Sequence, residues 1–196
     1  MLKEILKGHH IILASGSPRR HQFLKELGIP FIVDHKSVKE EYPESLKSSE
    51  ITDYLSELKA KVFLKDLKDR EILITSDTIV WHNETALGKP GTTSVAFKML
   101  ESLSGKTHEV ITSVTFTTRK KQKTVNATTR VTFKELTKNE IDYYIKNYHP
   151  LDKAGAYGIQ EWIGLIGITR IEGSYFNVVG LPTHLVYETL LEIASS

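Results

Sequence analysis

The strongest local signal for chemistry is the segment Ser15-Gly16-Ser17-Pro18-Arg19-Arg20, which lies between an apolar run and an amphipathic segment. A helix N-terminus presents unpaired N–H groups and the positive end of the helix dipole. The hydroxyls of Ser15 and Ser17 add hydrogen-bond donors, and the guanidinium groups of Arg19 and Arg20 match phosphate oxygens. These residues predict an anion-binding site. A capped helix with two solvated arginines is the alternative interpretation.

Two charged residues further along the chain are candidates for binding a phosphate anion or catalysing its reaction. Asp77 follows a buried-type strand predicted at residues 72–75. Ligands of open α/β sheets collect beyond the carboxyl ends of strands, where a carboxylate can bind Mg²⁺ or accept a proton from water. An Asx turn or a cap is the other role for Asp77. Lys89 lies in the stiff turn Gly88-Lys89-Pro90, which either holds its ammonium near a phosphate or leaves it solvated.

Two glycine motifs do not support other nucleotide-binding classes. Gly105-Lys106-Thr107 ends like a phosphate-binding P-loop, but the required glycine five residues earlier is replaced by Leu100. The stretch Gly155-Ala156-Tyr157-Gly158 lacks the spacing of a dinucleotide fingerprint. The eight histidines include no pair spaced as a metal-binding helix motif.

Strand-like and helix-like segments alternate around these residues. Strands are predicted at residues 11–14, 72–75, 110–116, 125–133 and 163–168, and helices at 18–27, 49–67, 93–103, 138–148 and from 182 onward. The basic run at 119–123 is interpreted as a solvated hairpin tip, with a nucleic-acid patch as the alternative. This order predicts an α/β fold with a mixed sheet. No linker divides the chain, so one domain over residues 1–196 is expected.

Composition excludes several classes of protein. The 196 residues can bury about 70% of the surface of the unfolded chain, so no disulfide or structural metal is needed. The absence of cysteine excludes disulfide scaffolds, cysteine-type zinc fingers and cysteine nucleophiles. No apolar run approaches the ~20 residues of a membrane helix, and no secretory signal is evident. We therefore expect a cytoplasmic protein without a membrane partner. The net charge of +2 argues against nucleic acid.

Taken together, the motifs resemble those of the Maf family of nucleoside triphosphate pyrophosphatases. The matching segments occur in the order of the family and span nearly the whole chain. They are residues 13–20, 76–78, 88–90, 103–108, 152–160, 173–175 and 179–182. The resemblance implies a mixed twisted sheet with flanking helices and two lobes around a central cleft, similar to the inosine triphosphate pyrophosphatases.

The resemblance also implies an activity and its residues. It implies hydrolysis of nucleoside triphosphates to the monophosphate and pyrophosphate by a cytosolic homodimer that uses Mg²⁺ or Mn²⁺. Asp77 matches the general base, and the other polar site residues that match are Arg20, Glu40, Lys59 and Lys89. We expect Asp77, Lys59 and Lys89 to be catalytic and Asp77 and Glu40 to bind the metal. Ser15, Ser17, Arg19, Arg20, Thr78 and Gln160 are the expected substrate-binding set.

Arg19, Thr78 and Gln160 match the positions tied to base preference. A sister group that prefers 7-methyl-GTP carries an aromatic residue before the two arginines and a glutamine after the aspartate. This chain therefore looks like the branch that acts on dTTP and UTP, with modified pyrimidine nucleotides as further substrates. A broad pyrophosphatase for non-standard purine nucleotides is one alternative. A non-catalytic nucleotide-binding regulator of septum formation is another.

Overall fold

The computed structural model describes residues 2–195 and the side chains in that range except Lys3. Its strands are β1 (His10–Leu13), β2 (Phe31–Val33), β3 (Glu71–His82), β4 (Thr85–Leu87), β5 (Thr107–Thr117), β6 (Gln122–Phe133) and β7 (Ile168–Glu172). Its helices are α1 (Leu2–Ile5), α2 (Pro18–Glu26), α3 (Ser49–Lys61), α4 (Thr93–Leu103), α5 (Lys138–Tyr148), α6 (Trp162–Gly167), α7 (Tyr175–Val179) and α8 (Thr183–Ala194). No helix within residues 2–195 has the length and apolar character needed to cross a bilayer.

The strands form one mixed sheet, which confirms the predicted α/β class. Its order is β2–β1–β3–β5–β6–β7, and β4 pairs with β3 outside this path. β1 runs parallel to both β2 and β3, whereas β3–β4 and β6–β7 are antiparallel. The predicted hairpin is β5–β6, closed where the Thr118 N–H donates to the Lys121 carbonyl at 2.8 Å. Its basic tip is exposed.

The described chain divides into two compact units. Unit 1 comprises the residues up to Asp77, Thr112–Ala127 and the residues from Gly180 onward. In its part of β3, alternate side chains enter different clusters, because successive residues of a strand face opposite sides of a sheet. Ile72 and Ile74 pack with residues of α1, α2 and α8, whereas Leu73 packs with Ala60 of α3 and with Phe63, which follows that helix.

Unit 2 comprises Thr78–Ile111 and Thr128–Val179. Helices α4 and α5 pack against each other. The capping box that opens α5 is formed as predicted: the Thr137 hydroxyl accepts from the Glu140 N–H, and the Glu140 carboxylate accepts from the Thr137 N–H. The buried rings of His108, Phe133 and Tyr157 contact one another in this unit. The Nε2 atom of His108 lies 2.8 Å from the Tyr157 hydroxyl.

The predicted strand at residues 163–168 is wrong. This segment is the short helix α6, and the strand β7 begins only at Ile168. A short apolar run suits a buried helix as well as a strand, so its periodicity does not decide between them. The helix depends on Gly164, because a Cβ there would lie 1.8 Å from the Ile159 carbonyl oxygen. Helix α3 is also shorter than predicted, ending at Lys61.

We expect unit 2 to lose stability in mild acid because it buries His82 and His108. Burial lowers the pKa of His108 to about 3, with a smaller contribution from His82, and burial also lowers the pKa of His82. A histidine whose folded pKa is depressed stabilises the fold above its unfolded pKa of 6.5, and this stability is lost as the pH falls below that value. For His108 alone, the free energy of unfolding should fall by roughly 2 kcal/mol between pH 7.5 and 5.0.

Denaturant unfolding at the two pH values measures this effect. His108→Gln is the control, since its amide can still bond to the Tyr157 hydroxyl and does not titrate. A variant that loses as much stability in acid as the wild type would contradict the assignment to His108.

Candidate active site

The loop from Ser15 to Ser17 leads from β1 into α2. Pro18 occupies the first turn of the helix, as predicted, but the Ser17 side chain makes no capping hydrogen bond. Instead, the Ser17 N–H donates to the Ser15 hydroxyl at 3.2 Å. The His21 Nε2–H, one turn into α2, donates to the Ser15 carbonyl at 2.6 Å. The loop is therefore held by its own helix, and the Ser17 hydroxyl is not used for capping.

Arg20 joins three segments of unit 1. Its Nε donates to the Gly180 carbonyl at 2.8 Å, and its NH1 donates to the Ser76 carbonyl at 2.9 Å. The same NH1 lies 3.5 Å from the Ser15 hydroxyl. Burial lowers the pKa of Arg20 to about 10, an effect that the Asp77 carboxylate opposes. The guanidinium therefore remains charged at neutral pH while part of it fixes the loop in place.

Lys59 on α3 lies at the centre of a cluster of charged side chains that also contains Glu40 and Asp77. Its Nζ lies 2.5 Å from Asp77 Oδ1 and 3.0 Å from Glu40 Oε1, and it also approaches the Ser76 carbonyl at 3.5 Å. The side chains of Lys59 and Asp77 are only 17% and 9% exposed, whereas Glu40 is 43% exposed. One ammonium thus holds two carboxylates that are 37 residues apart in the sequence.

The sequence predicts that Asp77 follows its strand, but the structure places it in the middle of β3. β3 continues to His82, so the strand is twelve residues long rather than four. The side chains of Thr75 and Asp77 both face α3, where their partners are the Ser56 carbonyl and Lys59. The carboxylate is therefore positioned by a rigid strand and by a helix, and the Asx-turn and cap alternatives are wrong.

Glu40 and Asp77 form a donor set that fits a hard divalent cation. Mg²⁺ prefers oxygen ligands and is bound through one or two carboxylates, with phosphate oxygens and water completing its coordination. The two carboxylates approach the same ammonium, so both can approach one cation. Among residues 2–195, no group of three or more His, Cys, Asp or Glu side chains forms a fuller site.

Arg19 lies beside Arg20 on α2 in unit 1, whereas Thr78, Lys89 and Gln160 lie in unit 2. Thr78 follows Asp77 on β3 and is half-buried. Lys89 and Gln160 are exposed, and the segments that carry them are tied together, because the Gly155 N–H donates to the Gly88 carbonyl at 3.2 Å. Gly155 has a φ of +66°, and a Cβ there would lie 2.7 Å from the Val80 side chain. Glycine is therefore required where this segment passes β3.

The chain matches the family model described as Maf-like protein over residues 10–193. The chain belongs to the Maf family. A relative from Christiangramia forsetii is 62% identical over the full length of both chains. A second, from Flavobacterium johnsoniae, is 58% identical over 97% of this chain and 98% of its own. Both relatives carry the name dTTP/UTP pyrophosphatase.

Among solved structures, the Ham1 protein of Staphylococcus aureus matches with a TM-score of 0.47 and 14% identity, over 63% of this chain and 71% of that one. A dITP/XTP pyrophosphatase of Mycobacterium abscessus matches with a TM-score of 0.44 and 12% identity, over 95% and 96%.

The sequence did not reveal two acceptors that organise the site, the carbonyl oxygens of Ser76 and Gly180. Every residue has a carbonyl group, so no residue type marks these two. The sequence also did not reveal that polar residues of α3 face the sheet. The spacing of Thr52 and Ser56, four residues apart in an otherwise amphipathic helix, could have indicated this face.

Arg20→Ala should lower the free energy of unfolding by about 1–3 kcal/mol, because it leaves the carbonyls of Ser76 and Gly180 without this donor. Arg19→Ala removes the neighbouring guanidinium but leaves these two bonds, so it is the matched control. We expect Arg19→Ala to raise KM for a nucleotide with a smaller effect on Tm. Thermal unfolding and steady-state kinetics of both variants test the difference. Equal losses of Tm would contradict the structural role of Arg20.

Proposed function

We propose that the chain hydrolyses dTTP and UTP to the nucleoside monophosphate and pyrophosphate. The observation that carries this proposal is the cluster in which Lys59 joins Asp77 and Glu40 beside the charged guanidinium of Arg20. Such a cluster combines an acceptor for a proton with cations for phosphate oxygens. The names of relatives that are 62% and 58% identical over nearly their whole length support the choice of substrate.

In this proposal, water attacks the α-phosphorus of the triphosphate. A new P–O bond forms, the bond from the α-phosphorus to the bridging oxygen breaks, and pyrophosphate leaves with the electron pair. The proton of the attacking water passes to the Asp77 carboxylate. Lys59 orients that carboxylate at 2.5 Å, and the charges of Lys59 and Arg20 favour the developing negative charge on the phosphate oxygens.

Glu40 and Asp77 are the residues that would hold Mg²⁺ or Mn²⁺ in this reaction. When bound, a divalent cation neutralises phosphate charge and stabilises the leaving pyrophosphate. The single positive charge of Lys59 offsets one of the two negative charges of these carboxylates. Lys59 therefore holds the buried Asp77 carboxylate and the exposed Glu40 carboxylate close together.

Thr78, Lys89 and Gln160 are assigned to the substrate by their match to the family motifs. Within residues 2–195, no acidic side chain forms an ion pair with Lys89. Its exposed ammonium can therefore bind phosphate oxygens. The hydroxyl of Thr78 and the amide of Gln160 can both donate to and accept from a pyrimidine edge. The bond between the Gly88 and Gly155 segments supports a shared role for Lys89 and Gln160.

The decisive experiment identifies the products. The purified protein is incubated with dTTP, UTP, ITP or 7-methyl-GTP in Mg²⁺ or Mn²⁺, and pyrophosphate, orthophosphate and the nucleotide product are measured separately. We expect dTMP or UMP with pyrophosphate, fastest for the two pyrimidine nucleotides, and no turnover after chelation of the metal. Release of orthophosphate with a diphosphate, or a preference for ITP, would overturn the proposal.

Thr78 and Gln160 should set the choice of base. Thr78→Ala and Gln160→Ala are each expected to change the ratio of kcat/KM between dTTP and 7-methyl-GTP by about 10–100-fold, since an unpaired polar group in a binding site discriminates strongly. Parallel kinetics on the two nucleotides measure this ratio. An equal loss on both would instead assign the residue to phosphate binding or folding.

The family resemblance also predicts a cytoplasmic homodimer. Size-exclusion chromatography with light scattering tests the dimer, whose mass would be about twice the 22.2 kDa of one chain. Cell fractionation tests the location.

A further inference from the structure

Helix α3 packs on the sheet of unit 1 partly through hydroxyl groups rather than apolar side chains. Five serine and threonine side chains without exposed surface form this contact, which we call the hydroxyl seam: Thr52, Ser56, Thr75, Ser113 and Thr115. Thr52 and Ser56 belong to α3, Thr75 to β3, and the other two to β5. Buried hydroxyls are tolerated where each has a partner, so their bonds define the contact.

The hydroxyl seam consists of short hydrogen bonds between the helix and two strands. Thr52 Oγ1 lies 2.6 Å from Ser113 Oγ, and Ser56 Oγ lies 2.7 Å from Thr115 Oγ1. The Thr75 hydroxyl donates to the Ser56 carbonyl at 2.7 Å. The first two bonds join α3 to β5, whereas the bond from Thr75 joins α3 to β3.

These bonds restrict how α3 can sit on the strands. Apolar side chains tolerate small sliding movements, because their attraction is not directional. A hydroxyl pair at 2.7 Å does not, since a shift of about 1 Å lengthens the bond beyond hydrogen-bond distance. The hydroxyl seam therefore selects one placement of the helix on the sheet.

The bond from Thr75 lies next to the centre of the candidate site. Thr75 is two residues before Asp77 and on the same face of β3, and Ser56 is three residues before Lys59 on adjoining turns of α3. The hydrogen bond from Thr75 to the Ser56 carbonyl therefore connects the part of β3 that carries Asp77 to the part of α3 that carries Lys59. The 2.5 Å contact between Lys59 Nζ and Asp77 Oδ1 joins the same helix and strand.

We propose that Thr75 is a positioning residue for the Lys59–Asp77 pair, acting through its hydrogen bond to the Ser56 carbonyl. The inference rests on the proposed pyrophosphatase function for its consequence in catalysis. Thr75 does not touch the substrate in this scheme. It holds α3 against β3 so that the ammonium and the carboxylate meet in one geometry.

The kinetic test compares three variants. Thr75→Val removes the hydroxyl and keeps the branched shape, and Thr75→Ser restores a hydroxyl. Thr52→Val removes the other end of the hydroxyl seam and is the matched control. We expect Thr75→Val to lower kcat for dTTP about 10–100-fold with KM within about twofold, because small displacements of catalytic groups have effects of this size. Thr75→Ser and Thr52→Val should stay within about threefold of wild type.

A second readout does not require activity. The side-chain ammonium of an ion-paired, poorly exposed lysine exchanges its protons slowly enough to be seen in ¹⁵N-edited spectra, and Lys59→Arg assigns the signal. We expect the Lys59 signal to persist in Thr52→Val and Thr75→Ser and to broaden or shift in Thr75→Val. If Thr75→Val does not fold, Thr75→Ala provides the same comparison.

Equal losses of kcat in Thr75→Val and Thr52→Val, or an unchanged kcat in Thr75→Val, would overturn the proposal. An unchanged Lys59 signal in Thr75→Val would also overturn it. If the wild-type protein hydrolyses no nucleotide, the proposed function fails, whereas the Lys59 signal still decides whether Thr75 positions the pair.

Discussion

Asp77→Asn is expected to lower kcat for dTTP hydrolysis by about 10²–10⁴-fold, the usual contribution of a general base. Asparagine keeps the size of the side chain and its oxygen acceptor but removes the negative charge and the basic oxygen. The fold should survive, because Lys59 Nζ retains Glu40 at 3.0 Å and the Ser76 carbonyl at 3.5 Å. Nucleotide affinity should persist or increase, since one negative charge near the phosphates is removed.

The metal dependence of this variant separates the two roles of Asp77. If the carboxylate acts mainly as a metal ligand, excess Mn²⁺ should recover part of the lost activity. If it acts as the base, added metal should recover little. Single-turnover rates, equilibrium nucleotide binding and Tm are measured together for the wild type and the variant. Activity within a factor of a few of wild type would refute a central role for Asp77.

Lys59→Met should have the second largest effect. Methionine keeps the apolar stem but leaves Asp77 and Glu40 without the ammonium that now lies within 3.0 Å of both. We expect kcat/KM to fall by on the order of 10²–10³-fold, as when one electrostatic group of an active site is removed. The free energy of unfolding should fall by up to about 3 kcal/mol, because a largely buried carboxylate loses its partner.

Lys61→Met is the matched control for this prediction. Lys61 lies two residues later on α3, is exposed, and has its Nζ 5.7 Å from the centre of the Tyr54 ring rather than at the carboxylates. The same loss of one positive charge there should leave kcat/KM within about twofold of wild type, since interactions of exposed charges are weak. Comparable losses in the two variants would show that Lys59 contributes only to net charge.

Much of the fold follows from local sequence signals. The short strand before Ser15, the helix opened by Pro18, the capping box at Thr137 and the β5–β6 hairpin lie where the sequence predicts them. Each depends on residues close together in the chain, through apolar periodicity, a restricted φ or a side chain that bonds to its own turn. The segment around Gly164 is different, because its helix depends on a close approach to the Ile159 carbonyl that periodicity does not encode.

The identity of the polar site residues also comes from the sequence. The segment from Ser15 to Arg20 indicates an anion-binding turn by its residue types, and the ordered motifs, with the family match over residues 10–193, assign the chain to the Maf family. The structure places seven of the singled-out residues in one unit: Ser15, Ser17, Arg19, Arg20, Glu40, Lys59 and Asp77.

The tertiary structure alone decided how these residues pair. Glu40 and Asp77 share one ammonium only because α3 lies on β3 at a single placement, which the bond from Thr75 to the Ser56 carbonyl helps to set. Two of the donor groups of Arg20 bond to the backbone carbonyls of Gly180 and Ser76, and no residue type in the sequence marks these acceptors. Sequence patterns report short-range preferences of the chain, whereas these contacts join segments that are distant in sequence and depend on ångström-scale packing.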